Sequence, residues 1–102
     1  MTLDLVLAPA AQKDLIRLYR YGLVTWGRQQ ADTYLAHVEE VIWQLTSRPE
    51  MGLKRPELAE GLCSFATKRH LVFYRCEKGQ LQIARVLHGR QDPSRHLADD
   101  PT

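Results

Sequence analysis

The sequence predicts an α+β fold with an N-terminal strand, an antiparallel helical hairpin and then three antiparallel strands, in the order β-α-α-β-β-β. Apolar residues recur with a period of two near the N-terminus and again over 62–88, and with helical spacing between these regions. The length of 102 residues, 44% of them hydrophobic, suits one core. We therefore expect a single domain over 1–102, in which the hairpin covers one face of a mainly antiparallel sheet.

The first predicted elements are a strand and a helix. Leu3, Leu5 and Leu7 alternate with other residues as in a half-buried strand. Pro9 suits the first turn of the helix that follows, because its missing N–H is not needed there. The helix has an apolar stripe with spacings of three and four residues, formed by Ala11, Leu15, Leu18 and Gly22. A glycine on this stripe would allow a second helix to approach closely.

A second helix is predicted over 29–47. Gly27, directly after Trp26, indicates where the first helix ends. Arg48 ends the second helix, because the residue before a proline is disfavoured in the α conformation. The apolar face of this helix comprises Tyr34, Leu35, Val38, Val41, Ile42 and Leu45. With so short a turn between them, the two helices must be antiparallel.

The C-terminal half predicts three strands, over 62–66, 70–76 and Gln80–His88. Lys78 and Gly79 form the turn between the last two strands. The connection over 47–61 is predicted to be irregular, and connections of this length are often functional. A short helix over 93–97 and a frayed tail over 99–102 are expected at the end.

Composition excludes several classes of protein. No apolar run approaches the roughly 20 residues that cross a bilayer, and the N-terminus lacks the features of a signal peptide. Cys63 and Cys76 are too few for a disulfide framework and are expected to be reduced thiols. These features predict a cytoplasmic protein without a membrane partner.

The charge is distributed unevenly along the chain. Residues 1–51 carry five Lys/Arg and six Asp/Glu, whereas residues 54–95 carry nine and four. A basic region of this kind favours an anionic partner, either a nucleic acid or an acidic protein segment. It is also compatible with an ordinary solvated face.

Arg85 has two interpretations. Strict alternation places it with Leu81, Ile83 and Leu87 on the core face, where a charge needs a carboxylate partner or a route to solvent. Alternatively, a β-bulge near 84–86 turns its side chain outward, and bulges often lie beside functional sites.

His88 and Arg90 share the opposite parity, together with Val86 and Gln82, and are expected on the uncovered face of the sheet. The neighbouring strand is expected to place His70, Val72 and Tyr74 on that face as well.

Such a surface has the groups that RNA cleavage needs, namely a base, an acid and positive charge on the phosphate. His88, Tyr74, Glu57 and the arginines are the candidates. A histidine at a strand end is, however, also common at plain surfaces and interfaces. The sequence has no close-spaced metal-ligand pair and no glycine-rich phosphate loop, so it predicts no metal and no cofactor.

An ordered set of residues over 5–97 resembles the ParE branch of the RelE/ParE toxin superfamily. In the first half the matching residues are Leu7-Ala8-Pro9-Ala10-Ala11, Asp14-Leu15, Tyr21, Trp26-Gly27, Gln30-Ala31, Tyr34, Leu45 and Arg48-Pro49. In the second half they are Gly52, Arg55, Glu57-Leu58, Gly61-Leu62, Ser64-Phe65, His70, Phe73-Tyr74-Arg75 and Arg85-Val86-Leu87-His88-Gly89-Arg90-Gln91-Asp92. The family usually has methionine at Gln91 and often a basic or larger residue at Cys63.

The resemblance implies a toxin of a type II toxin–antitoxin pair, a class associated with plasmid stabilisation. ParE-like members are associated with poisoning DNA gyrase, whereas RelE-like relatives are ribosome-dependent mRNA endonucleases. The ending from Arg85 to Arg90 follows the ParE pattern and lacks the dense basic cluster and terminal tyrosine of RelE. We therefore expect a non-enzymatic gyrase inhibitor. The alternatives are an endonuclease with Arg85, His88 and Tyr74 as catalytic residues, and a plain protein-binding domain of the same fold.

The resemblance also implies a ParD-like antitoxin, through which DNA would be contacted only indirectly. Its tail is expected to fold on the toxin. Charge and expected exposure, and not the resemblance, suggest the residues that bind it: Lys13, Arg17, Arg20, Arg75 and Arg85. The residues expected to bind the cellular target are Arg85, His88, Arg90 and Arg95.

Overall fold

The computed structural model describes residues 2–98 and confirms the predicted order of elements. The N-terminal half consists of β1 (Asp4–Leu7), α1 (Pro9–Trp26) and α2 (Arg28–Ser47). The C-terminal half consists of β2 (Leu53–Lys54), β3 (Cys63–Ala66), β4 (His70–Glu77), β5 (Gln80–His88) and α3 (Pro93–Ala98). The tail predicted over 99–102 lies outside the described residues.

The five strands form one sheet in the order β1-β5-β4-β3-β2. All neighbours are antiparallel except β1 and β5, which run parallel. The helical hairpin carries the chain from β1 at one edge of the sheet to β2 at the other, and the following strands return to β1. Lys78 and Gly79, at φ 51° and 77°, join β4 to β5 as predicted. Both residues of this two-residue turn have the left-handed conformation that matches the twist of the strands.

The connection after α2 is more regular than predicted. A 3₁₀ turn at Pro49–Met51 is followed by β2, whose Leu53 pairs with Ser64 of β3. A two-residue strand is too short to show a period of two, so the sequence pattern could not reveal it.

The helical hairpin packs on one face of the sheet. Gly27, at φ 91°, ends α1 and begins α2. Gly22 lies against Ala31, and a Cβ added to Gly22 would be 3.1 Å from the Cβ of Ala31. This confirms that a glycine on the stripe of α1 allows α2 to approach closely. The core beneath the hairpin includes Val38, Leu45, Val72, Tyr74, Leu81 and Ile83.

A β-bulge at Ala84 reverses the alternation of β5. Tyr74 pairs with Ile83, but the preceding Phe73 pairs with Arg85, so Ala84 is the extra residue. Beyond the bulge, Val86 joins the core beneath the hairpin. An inserted residue moves every later side chain to the other face.

The bulge corrects two predictions about faces. Leu87 packs in a second cluster with Leu62, Phe73 and Ala84, against Leu58, Ala59, Leu71 and Leu97, and not with Leu81. Val72 and Tyr74 are fully buried beneath the hairpin and do not lie on an uncovered face. Because the alternate residues of β4 are apolar and buried on both faces, alternation alone could not assign them. Within residues 2–98, no helix has the length and hydropathy needed to cross a membrane.

Candidate functional site

The site begins at the end of β1. Beyond this point, the edge of β5 has no strand partner in the described part of the chain. Leu7 is the last residue of β1 in the ladder, opposite Ile83. Further along β5, the N–H of Val86 donates to Asp14 Oδ2 at 2.9 Å and the N–H of His88 donates to Gln91 Oε1 at 2.7 Å. Side chains therefore complete the edge where the first strand cannot, and α1 is held against the end of β5.

Asp14 and Arg85 form a buried ion pair at this edge. Arg85 Nε donates to Oδ2 of Asp14 at 2.8 Å, and Nη2 donates to Oδ1 at 2.9 Å. Both residues are buried, with 6% and 8% exposure, and Arg85 Nη1 also donates to the His96 carbonyl at 3.0 Å. Two parallel charge-assisted hydrogen bonds make this the strong form of such a pair. Both interpretations of Arg85 therefore hold in part, since a carboxylate pairs it and a bulge precedes it, but its side chain is not turned outward.

Two histidines lie together at the end of the sheet, on the side of the hairpin. His70 and His88 are opposite each other in the β4–β5 ladder, with ring centroids 5.3 Å apart and nearly perpendicular rings. The N–H of Arg90 donates to His88 Nδ1 at 3.1 Å, so a neutral His88 carries its proton on Nε2. The prediction that His88 projects from an uncovered face is wrong, because the bulge turns it under α1.

His70 is expected to make the free energy of unfolding depend on pH. Burial, followed by the nearby His88 ring, lowers the pKa of His70 from 6.5 to about 4. Asp14 partly opposes this shift, and Arg69 adds a smaller decrease. Between these values the unfolded chain binds more protons, so stability rises as the pH rises through this window and is lost below it. In urea unfolding at several pH values, His70→Gln should flatten that rise while His37→Gln on α2 keeps it. Equal slopes in His70→Gln and wild type would contradict the assignment.

The hydroxyl of Tyr34 fixes the β3–β4 turn to α2. It lies 2.8 Å from His70 Nδ1 and 2.9 Å from Thr67 Oγ1, and it accepts the N–H of Arg69 at 3.1 Å. Thr67 is in turn bonded to the backbone of His70 in both directions. The position of the turn, and of Arg69 at its tip, is therefore set by hydrogen bonds to a helix.

Arg69 reaches from this turn to the end of α1. Its guanidinium carbon lies 3.9 Å from the ring centroid of Trp26. Tyr21, one turn earlier in α1, meets the same ring edge to face, with centroids 5.5 Å apart. A guanidinium stacked on an indole is a favourable cation–π contact. The three side chains thus form one wall where the hairpin faces the sheet end.

These groups enclose an open cavity of about 590 Å³, which we name the hairpin pocket. It lies between α1, the start of α2 and the ends of β4 and β5. Its lining comprises Asp14, Arg17, Leu18, Tyr21, Trp26, Tyr34, Arg69, His70, Val86, His88, Arg90 and Gln91. Asp14 is the one carboxylate in this lining and is already paired with Arg85. The pocket is therefore strongly basic and rich in aromatic rings, a combination that suits an anionic ligand.

The residues expected to bind an antitoxin do not form one surface. Lys13, Arg17 and Arg20 are exposed along α1, and Arg17 also lines the hairpin pocket. Arg75 lies on the opposite face of the sheet, where it lines a second concavity of about 440 Å³. Arg85 is buried in its ion pair. Only the helical part of the set is therefore arranged as one exposed basic stripe.

The residues expected to bind a target are also divided. His88 and Arg90 come together in the hairpin pocket. Arg95 is exposed on α3, whereas Arg85 is buried and can influence a ligand only through Asp14 and the shape of the edge.

The catalytic set of the endonuclease alternative is not assembled. Tyr74 is completely buried, where its hydroxyl donates to the Pro49 carbonyl and accepts the N–H of Gly52. Burial raises the pKa of Tyr74 to about 12, so it holds its proton. Glu57 lies in the loop after β2, hydrogen-bonded to Arg55 at 2.7 Å. Across residues 2–98, no three side chains of His, Cys, Asp or Glu form a group that could hold a metal ion.

Sequence reasoning missed most of the pocket lining, including three residues that shape it: Trp26, Tyr34 and Arg69. Trp26 is marked in the sequence by its position before Gly27, but only as the last residue of a helix. Tyr34 belongs to the apolar stripe of α2 and gives no sign that its hydroxyl faces the turn. Arg69 has no signal at all, because its role depends on the distance between two elements that are remote in sequence.

Comparisons with known proteins agree with this architecture. The sequence model of the family described as "ParE toxin of type II toxin-antitoxin system, parDE" matches residues 5–93. Toxin ParE1 of Mycobacterium tuberculosis is 32% identical over 93 residues, which cover 90% of this chain and 95% of that protein. Toxin ParE1 of Caulobacter vibrioides is 32% identical over 91 residues, covering 89% and 94%.

Two solved structures share the fold. A chain of the chromosomal ParDE system from P. aeruginosa superposes with a TM-score of 0.75 at 21% identity, covering 85% of this chain and 96% of that one. A chain of the toxin–antitoxin complex RelBE2 from Mycobacterium tuberculosis gives a TM-score of 0.64 at 25% identity, covering 86% and 99%. The family match, the full-length relatives and the shared fold lead to one conclusion: this chain belongs to the ParE toxin family of type II toxin–antitoxin systems.

Proposed function

We propose that this protein inhibits DNA gyrase in the cytoplasm and is neutralised by a cognate ParD-like antitoxin. The observation that carries the proposal is the match to the ParE toxin family over residues 5–93. The solved relatives come from a ParDE system and a RelBE2 complex, which supports an antitoxin as partner. DNA would then be contacted only through the antitoxin.

The geometry favours docking over catalysis. Of the three catalytic candidates, Arg85 is paired with Asp14 and Tyr74 is buried with its hydroxyl bonded to backbone. Only His88 remains in an open position, and it lies beside Arg90 in the hairpin pocket.

His70 lies beside His88, but the Tyr34 hydroxyl holds its ring and burial lowers the pKa of His70 to about 4, so His70 is not the protonated acid that cleavage would need at neutral pH. A histidine pair beside an arginine can recognise an anionic surface, whereas RNA cleavage needs a complementary acid and base.

Purified protein tested in parallel on gyrase and on translating ribosomes separates the candidate functions. We expect inhibition of gyrase supercoiling without cleavage of mRNA. His88→Ala and Arg90→Ala should each weaken inhibition by about tenfold, the loss expected for one charge-assisted contact. Lys78→Ala, in the turn at the far end of β5, is the control and should inhibit like wild type.

Two results would overturn the proposal. Codon-linked mRNA cleavage that His88→Ala abolishes would make the protein an endonuclease. Inactivity of folded protein in both assays would leave a binding domain of the same fold, and the match to the family would then describe ancestry and not activity.

The exposed stripe on α1 gives a separate prediction for the antitoxin. Arg17→Glu combined with Arg20→Glu should weaken the toxin–antitoxin complex by about tenfold or more, because an acidic tail would meet repulsion in place of attraction. Arg17 is 71% exposed at its side chain, so the fold should tolerate the change. Lys78→Glu alters charge away from the stripe and should leave affinity unchanged. Titration calorimetry with the purified antitoxin provides the measurement; unaltered affinity of the double variant would exclude α1 from the interface.

A further inference from the structure

We propose that the hairpin pocket binds a nucleotide, with the base against its aromatic wall and the phosphate between its arginines. This inference goes beyond inhibition of gyrase and does not depend on it. The ligand chemistry is that of a nucleoside 5′-phosphate, which either a free nucleotide or the phosphorylated end of a single strand could supply.

The charge of the pocket calls for a ligand with more than one negative charge. Arg17, Arg69 and Arg90 line it and are exposed, so their guanidinium groups are open to solvent. Among the ion pairs within residues 2–98, only one involves these arginines, a contact of 4.0 Å between Arg17 and Asp14. Asp14 is itself neutralised by Arg85 in two shorter hydrogen bonds. In this part of the chain, Arg90 is therefore free of any carboxylate and Arg17 has only the long contact, while Arg69 is stacked on Trp26 through its plane and keeps its N–H donors at the edge. Guanidinium groups bind phosphate through paired N–H donors.

The aromatic wall explains why a nucleotide fits better than a bare phosphate. Trp26 carries the Arg69 guanidinium on its face and Tyr21 against its edge. Stacking of a nucleobase on aromatic or guanidinium planes is sequence-tolerant and strong, because every base has a π-face. A cavity of about 590 Å³ is also of the size that holds a small cofactor-like molecule.

The histidine pair supplies polar groups between the wall and the arginines. His88 accepts the N–H of Arg90 at Nδ1, which leaves its Nε2–H as a donor. His70 is held by the Tyr34 hydroxyl at 2.8 Å. Both rings line the cavity, where a donor on Nε2 can contact a phosphate oxygen or an acceptor on the base.

The pocket is formed before any ligand arrives. The close contact of Gly22 with Ala31 fixes the end of the hairpin, and the Tyr34 hydroxyl fixes the β3–β4 turn. The Asp14–Arg85 pair holds α1 to the edge of β5. Preorganisation of this kind reduces the entropy lost on binding. An acidic peptide could satisfy the arginines, but it would not use the stacked wall, and it is the competing outcome of the test.

The test uses Trp26 as its own reporter. The chain has two tryptophans, and Trp43 is exposed on α2 outside the pocket, so Trp43→Phe leaves Trp26 as the one indole. In that background AMP should change the fluorescence saturably at concentrations up to a few mM, the range of weak but specific binding. Adenosine, which lacks the phosphate, should bind at least tenfold more weakly. A 5′-phosphorylated oligothymidylate, compared with AMP and with the unphosphorylated strand, distinguishes a strand end from a free nucleotide.

Matched arginine variants identify the site. Arg69→Met and Arg90→Met should each weaken AMP binding about tenfold, whereas Arg20→Met should not, because Arg20 is exposed on α1 but does not line the pocket. Calorimetry repeats the Arg69→Met measurement, because that change also alters the surroundings of the reporter. The urea midpoint of each variant shows that it is folded.

Four results would overturn the inference. The first is the absence of saturable binding, and the second is equal affinity for adenosine and AMP. The third is an equal loss of AMP affinity in Arg20→Met and Arg69→Met. The fourth is tighter binding of an acidic peptide, rich in Glu and containing tyrosine, than of AMP. Supercoiling assays of the same variants test the proposed inhibition of gyrase independently of nucleotide binding. A protein that inhibits gyrase but does not bind nucleotides would refute this inference alone, and the reverse result would refute only the proposed function.

Discussion

Arg85→Met should lower the free energy of unfolding by about 3–5 kcal/mol, because it leaves the Asp14 carboxylate buried without its cation. The side chain of Asp14 is only 4% exposed, and two hydrogen bonds to the guanidinium are lost together. Domains of this size are stable by only about 5–15 kcal/mol, so the loss is a large part of the total. Urea unfolding measures it directly.

Arg28 provides the matched control for Arg85. It forms an ion pair with Asp32 at 3.8 Å, but its side chain is 87% exposed. Arg28→Met removes the same number of atoms and the same charge, yet it should cost less than about 1 kcal/mol, since exposed pairs contribute little. Similar losses in the two variants would show that burial of the Asp14–Arg85 pair is not what makes it important.

A double variant separates the charge from the edge of the sheet. In Asp14→Leu/Arg85→Met no buried charge remains, so stability should recover in part relative to Arg85→Met alone. Recovery should remain incomplete by about 1–3 kcal/mol, because the N–H of Val86 loses the carboxylate that accepts it. Complete recovery would mean that water satisfies this N–H equally well.

The order and type of the long elements could be predicted because they depend on local spacing. The stripe of α1, the glycine that ends it and the Lys78-Gly79 turn are all properties of a few consecutive residues. The direction of side chains at the end of β5 is different. The bulge at Ala84 is followed by Arg85, whose side chain pairs with Asp14, a residue 71 positions away in the sequence. The sequence raises a bulge near 84–86 only as one interpretation of Arg85, and the faces that strict alternation assigns to Val86, Leu87 and His88 are reversed.

The hairpin pocket shows the same limit at a site. Trp26, Tyr34 and Arg69 belong to three separate elements, and each has an ordinary explanation within its own element. Their contact depends on how closely Gly22 lets the helices approach and on how the Tyr34 hydroxyl holds the turn. Basic residues can be counted from the sequence, but which of them share a cavity is decided by packing.

Gly52→Ala should be the second most damaging substitution, with a loss of about 2–4 kcal/mol from overpacking and one lost hydrogen bond. The φ of Gly52 is −80°, which alanine adopts freely, so backbone strain plays no part. A Cβ there would overlap the Tyr74 hydroxyl and lie 2.8 Å from the Ser64 carbonyl. Tyr74 is completely buried and cannot move aside. Gly89→Ala is the control, because its Cβ would lie 3.8 Å from the nearest atom, and it should change stability by less than about 0.5 kcal/mol.

Tyr74→Phe identifies which atom clashes with the Cβ of alanine in Gly52→Ala. Alone it should cost about 1–3 kcal/mol, since the Gly52 N–H and the Pro49 carbonyl lose their shared partner. Combined with Gly52→Ala, the two losses should be less than additive, because the oxygen that clashes with the new methyl group is gone. Strict additivity would place the clash at the atoms that Tyr74→Phe leaves in position, namely the Ser64 carbonyl at 2.8 Å and the ring carbon Cζ of residue 74 at 2.9 Å. Sub-additivity would show that the buried hydroxyl of Tyr74 is the atom that requires glycine at position 52.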